Sequence, residues 1–127
     1  MGWQDVVRPL SVSFDRRTES ATTVVSLRGE IDLHRHAELR AVLTHEVDAG
    51  RNLIVDLTEV DFLDSTGLGL LVGVLKRARE RGERLGIDPT GLVLVVSALE
   101  VRRTLEVTQL DRVFTIVDRI EDADCLL

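Results

Sequence analysis

Apolar positions recur along this chain in two rhythms, alternate and helical, interrupted by short unbroken runs. Leu10, Val12 and Phe14 alternate with Ser11 and Ser13, which predicts a strand with one wet face. The polar stretch 15–23 reads as the turn back, and residues 24–27 as a second strand that pairs with the first as a hairpin. Gly29, Glu30, Ile31 and Asp32 read as a loop, with Asp32 capping a helix from about His34 to Asp48. The stripe of that helix is Leu39, Val42, Leu43 and Val47, and Gly50 ends it. Residues 53–57 (LIVDL) form a short run rich in branched side chains, the mark of a strand buried on both faces. Leu68, Leu71, Val72, Leu75 and Ala78 then recur at helical spacing and lead into Lys76, Arg77, Arg79 and Arg81, cations suited to a helix C-terminus. Gly82, Gly86 and Pro89 mark a connector, and residues 92–96 (LVLVV) a fourth strand. Ser97, Ala98, Leu99 and Glu100 read as a capping box that opens a helix to about Glu106, with Leu99, Val101 and Leu105 inward. A closing strand is expected over 113–117, and a short helix or tail from Asp118.

Strand, strand, helix, strand, helix, strand, helix, strand is the resulting order. Repeated strand–helix–strand units favour parallel neighbours joined by right-handed crossovers, and the opening hairpin adds an antiparallel edge. The expected architecture is a single α/β domain: a mixed, mostly parallel sheet flanked by helices, with no internal repeat.

Composition narrows the function. The chain has 127 residues, enough for one core, and 44% of them are hydrophobic. Aromatics are 3% with no Tyr, so the core must be aliphatic and no stacking platform for single-stranded nucleic acid exists. A net charge of −6 disfavours a phosphate-backbone partner. The N-terminus lacks the apolar core of a signal peptide, and Val6 stands where a myristoylation signal wants Ser or Thr. The longest apolar run, 67–75, is about half what a bilayer needs. Cys125 has no companion for a disulfide or a zinc site. A cytoplasmic protein with no membrane or nucleic-acid partner is the expectation.

Residues 60–73 (VDFLDSTGLGLLVG) concentrate the candidate chemistry. Asp64, Ser65 and Thr66 stand at the entrance to the central helix, where a side-chain oxygen accepts free backbone N–H groups and is worth about 1 kcal/mol. A hydroxyl there is also a candidate for phosphorylation, because a phosphate adds about −1.5 to −2 charges beside N–H groups that tolerate it. Leu68, Leu70 and Leu71 point several ways from one turn, so cover on more than one side is expected, part of it from a second protein. Enzymatic readings fare worse. Gly67, Gly69 and Gly73 lie too far from the preceding strand for a dinucleotide turn, and no P-loop lysine is present. His34, His36 and His45 lack the spacing of metal ligands. No His or Lys lies near Ser65 to activate it as a nucleophile. Neither catalytic residues, metal nor cofactor are expected.

The run 56–71, with its Asp64-Ser65-Thr66-Gly67 centre and with Gly29-Glu30-Ile31-Asp32-Leu33 before it, resembles the STAS-domain anti-sigma factor antagonists of bacteria. The resemblance covers about residues 7–124. It implies a phosphorylation-switched binding protein that, unphosphorylated, sequesters an anti-sigma factor which is itself a serine kinase, and so releases a sigma factor. It implies Ser65 as phosphoacceptor, Thr66 as second candidate, and a metal-dependent serine phosphatase that resets the switch. The implied partner surface comprises Gly29, Glu30, Ile31, Asp32, Asp64, Ser65, Thr66, Gly67 and Leu68. The same resemblance admits a scaffold or a transport-complex subunit without a switch, in which Ser65 only caps. It leaves a monomer and a weak dimer equally open. The chain departs from the family in two places: the connector 85–91 is longer than usual before the fourth strand, and Gln109 stands where a glycine is general.

Overall fold

Five strands, β1 (Ser11–Glu19), β2 (Thr22–Ile31), β3 (Asn52–Leu63), β4 (Leu92–Val95) and β5 (Thr115–Val117), lie side by side in chain order in one sheet. The computed structural model describes residues 11–19, 22–31, 36–89, 91–124 and 126. Between the strands run α1 (His36–Asp48), α2 (Ser65–Leu85) and α3 (Leu99–Val107), with a 3₁₀ turn at Leu110–Arg112 and a short α4 (Ile120–Asp124) at the end. Each of β2 to β5 is parallel to its neighbour, and β1 pairs antiparallel with β2, Ser11 opposite Arg28 and Asp15 opposite Val24.

Branched side chains build this sheet because they pack well on a pleated surface. On one face Val25, Leu27, Leu53, Val55 and Leu57 meet Leu39, Leu43 and Val47 of α1, Leu71, Val74 and Ala78 of α2, and Val101 and Leu105 of α3. On the other, Val24, Ile54, Val93 and Val95 form a smaller cluster with Ala123, and Val117 and Ile120 pack against it. Consecutive residues Leu53, Ile54 and Val55 are all buried, as a strand covered on both faces requires. Burying one such side chain is worth about 1.5–3 kcal/mol, so a core that is aliphatic but for the buried Phe114 holds the sheet with little aromatic bulk.

The helices are tied at their ends. Gly50 follows α1 with φ of 78°, its N–H donating to the Val47 carbonyl at 3.0 Å. Glu46, buried on α1, is joined by Arg51 at 3.2 Å. Gly86 caps α2 in the left-handed region, and Ile87 N–H returns to the Gly82 carbonyl at 3.0 Å.

Five expectations change. The polar stretch 15–23 is not a turn throughout: residues 15–19 belong to β1, and Thr22 and Thr23 open β2. Gly29, Glu30 and Ile31 are not loop either; they extend β2 and pair with β3. The capping box at Ser97 does not form. The Ser97 hydroxyl instead faces the Thr58 carbonyl at 3.5 Å, and Ala98, which has no side-chain acceptor, occupies the N-cap of α3. Val101 and Leu105, four apart, then turn inward, while Leu99, two residues before Val101 and so on another face of the helix, is left 64% exposed. Lastly, Val113 is exposed and β5 begins only at Thr115, because the N–H groups of Val113 and Phe114 both donate back to the Leu110 carbonyl of the 3₁₀ turn. Leu10, Asp32, His34 and Cys125 lie outside the described residues.

Candidate functional site

Two irregularities in β3 shape the approach to the central helix. Ser26 of β2 faces Asp56, but Arg28 faces Glu59; Gly29 faces Val60, but Glu30 faces Phe62. At each slip β3 carries one residue more than β2. An extra residue breaks the alternation of faces and re-aims the side chains after it. Leu57, Val60 and Leu63 are accordingly buried three residues apart, with Glu59, Asp61 and Phe62 exposed between them.

Asp64 comes next, in extended conformation, and is the N-cap of α2, its Oδ1 accepting the Gly67 N–H at 2.9 Å, while Leu68 N–H donates to the Asp64 carbonyl at 2.9 Å. One of the three hydroxyl-or-acid candidates is therefore the cap, and it is the acid. Ser65 becomes the first helical residue, exposed, its hydroxyl taking no part in the cap; Thr66 is half-buried.

Gly67 and Leu68 are buried, so they support the site from beneath. Leu70, Leu71 and Val74 are buried as well, and the chain's own sheet and helices give the cover that the leucines were expected to share with a second protein. What α2 turns outward in its first half is nearly bare backbone: Gly69 and Gly73 have open space where a Cβ would sit, with Val72 between them. The β2–β3 ladder brings Gly29, Glu30 and Ile31 beside this entrance, opposite Val60, Phe62 and Leu63. Asp32 falls outside the described residues.

The charge at this end is negative. Asp61 and Glu59 are exposed, Asp64 is half-exposed, and Arg28 reaches Glu59 at 3.3 Å. The far end of α2, about 30 Å away for a helix of 21 residues, is cationic. There Arg77 clasps Asp48 of α1 with two hydrogen bonds of 2.8 Å. That hydrogen bonding, more than the charge alone, holds the Asp48 carboxyl below its ordinary value, with Arg84 and Arg81 adding to the effect. No cluster of His, Cys, Asp or Glu able to hold a metal occurs among the described residues, and none of their helices is long and apolar enough to cross a membrane. The site's chemistry is thus an accessible hydroxyl on a helix N-terminus, set in an acidic, partly apolar surface.

Sequence reasoning missed Phe62. Strict alternation from Val60 places Phe62 inside and Leu63 out, and nothing in the local composition signals the extra residue that reverses them.

Residues 13–123 match the STAS domain. An anti-sigma-B factor antagonist of Staphylococcus aureus is 35% identical over 96 residues, covering 72% of this chain and 89% of that one. One from Bacillus subtilis is 30% identical over 79 residues, 62% of this chain and 72% of its own length. A crystal structure of an anti-sigma factor antagonist from Mycobacterium paratuberculosis superposes with a TM-score of 0.76 at 26% identity, over 91% of this chain and 93% of that one.

Proposed function

Because this chain belongs to the STAS domain family, we propose that it is an anti-sigma factor antagonist switched by phosphorylation at Ser65, with Thr66 as the second candidate. It acts as a single domain with its core over about 7–124, in the cytoplasm, as a binding protein whose hydroxyl is a substrate and which catalyses nothing itself. Unmodified, it presents the entrance of α2, with Gly29, Glu30, Ile31 and Asp32 beside it, to an anti-sigma factor that is a serine kinase, and a sigma factor is released. The observation that carries this reading is the division of labour at the helix entrance: Asp64 fills the cap, and Ser65 is exposed with no capping duty.

A phosphate on Ser65 sits on helix N–H groups that tolerate it, so the fold survives modification. In a complex it brings a near-dianion beside Asp64 and Asp61 into an interface, and like-charge juxtaposition there costs several kcal/mol. Affinity drops by orders of magnitude, tenfold for each 1.4 kcal/mol. A metal-dependent serine phosphatase resets the switch. Incubating the protein with ATP and the anti-sigma factor kinase of its own cell is expected to add one phosphate, at Ser65, and Ser65→Asp is expected to lose the partner. If Ser65→Ala accepts label at the wild-type rate with Thr66 untouched, the switch has been put in the wrong place. If protein taken from its native cell is never modified, the scaffold reading replaces this one.

A further inference from the structure

We infer that Phe62 is the aromatic anchor by which this surface docks its protein partner, and that the partner offers an apolar pocket ringed by cationic side chains. The inference rests on the proposed role of Ser65 and adds the residue that supplies the affinity.

Three observations support it. Phe62 is 55% exposed, in a chain with three Phe, one Trp and no Tyr. An aromatic side chain left in water forgoes a large burial gain, and in a chain this poor in aromatics the sheet needs a reason to turn one out. Its exposure is also built. The extra residue at the Gly29/Glu30 slip exchanges the places of Phe62 and Leu63, so that Leu63 is buried and Phe62 faces outward. Bulges in parallel ladders are uncommon and gather next to functional sites, where they re-aim a side chain. Finally, Phe62 stands three residues before Ser65, with Asp61 exposed beside it and Asp64 two positions on. A large exposed apolar side chain with carboxylates one and two residues from it along the chain is the complement of a pocket rimmed by Lys or Arg, and buried aromatics of this kind carry most of the energy in protein interfaces. With the partner's cations already matched to the carboxylates beside the ring, a phosphate on Ser65 brings a hydrated near-dianion that no cation is left to meet, and its uncompensated desolvation at the rim of the anchor releases the contact.

The test is the kinetics of phosphorylation of Phe62→Ala and Phe62→Tyr by the anti-sigma factor kinase of the same cell, with circular dichroism to confirm folding. Phe62→Ala is expected to raise the kinase's KM for this protein at least tenfold with kcat within twofold, and Phe62→Tyr to restore most of the loss. Raising the salt concentration is expected to raise KM for wild type. A KM unchanged in Phe62→Ala, with Ser65 still labelled, overturns the anchor and leaves the Ser65 reading intact. Absence of label on Ser65 in wild type instead removes the Ser65 reading and the anchor with it. Sedimentation of wild type and Phe62→Ala covers the remaining occupant: a dimer that Phe62→Ala dissolves while KM holds assigns the ring to contact between two copies and overturns the proposal.

Discussion

The Asp64 carboxylate accepts the Gly67 N–H at 2.9 Å, which frees Ser65 from holding the central helix in place. Holding the helix and presenting a free hydroxyl are thereby lodged on adjacent residues. Asp64→Ala is expected to cost about 1 kcal/mol, the usual loss of a helix N-cap, and Asp64→Asn to keep most of it. Ser65→Ala is expected to lie within about 0.5 kcal/mol of wild type, as an exposed side chain outside the cap should. Urea denaturation of the three variants decides between this division and one in which the serine caps.

Two glycines of α2 are expected to respond to alanine with opposite signs. At Gly82 an added Cβ would lie 2.9 Å from the Ile87 carbonyl oxygen and 3.0 Å from the Pro89 nitrogen, backbone atoms that cannot swing aside. Gly82→Ala should therefore lose about 1–3 kcal/mol through overpacking, more than the helix preference of alanine returns. At Gly73 there is only open space. Gly73→Ala should gain about 0.5–1 kcal/mol, and thermal melts of the pair check both signs.

Gln109 holds φ of 63°, the one non-glycine with positive φ among the described residues. The left-handed region costs a side-chain-bearing residue about 1–2 kcal/mol. Gln109→Gly recovers that strain and surrenders about 0.4–1 kcal/mol through the freer unfolded chain. The difference is a net gain of up to about 1.6 kcal/mol, centred on about 0.8 kcal/mol, expected by denaturant titration.

The Arg77–Asp48 pair is expected to make stability depend on acidity in one direction. Asp48 has its pKa lowered in the folded protein from 3.8, first by the hydrogen bond from Arg77, so its contribution is full above that value and is lost as pH falls through the folded pKa. Both side chains are about half exposed, and the contribution is correspondingly screened and small. Asp48→Asn should flatten the wild-type decline in stability below about pH 4. The difference between the two proteins should shrink in high salt, as pH-dependent melts at two ionic strengths will register.

Element order was legible from periodicity alone, because a strand buried on both faces, such as 53–57, and an amphipathic helix, such as α1, bury apolar side chains at spacings set by backbone geometry. The helix entrance at 64–66 was legible too, since Asp, Ser and Thr stand there for reasons local to a few residues. Which of them caps was not. Side-chain direction at Asp64 depends on how β3 ends, and that depends on how its ladder with β2 runs. The box at Ser97 failed for a similar reason: its hydroxyl lies against the Thr58 carbonyl, on a strand 39 residues away. Phe62 shows the limit most clearly. Its exposure is decided by one extra residue in a pairing between distant segments, and a period of two read along a single strand carries no trace of its partner's register. Local chemistry thus wrote the elements and marked the hydroxyl into the sequence, while tertiary pairing alone settled what that hydroxyl is free to do and which large side chain stands beside it.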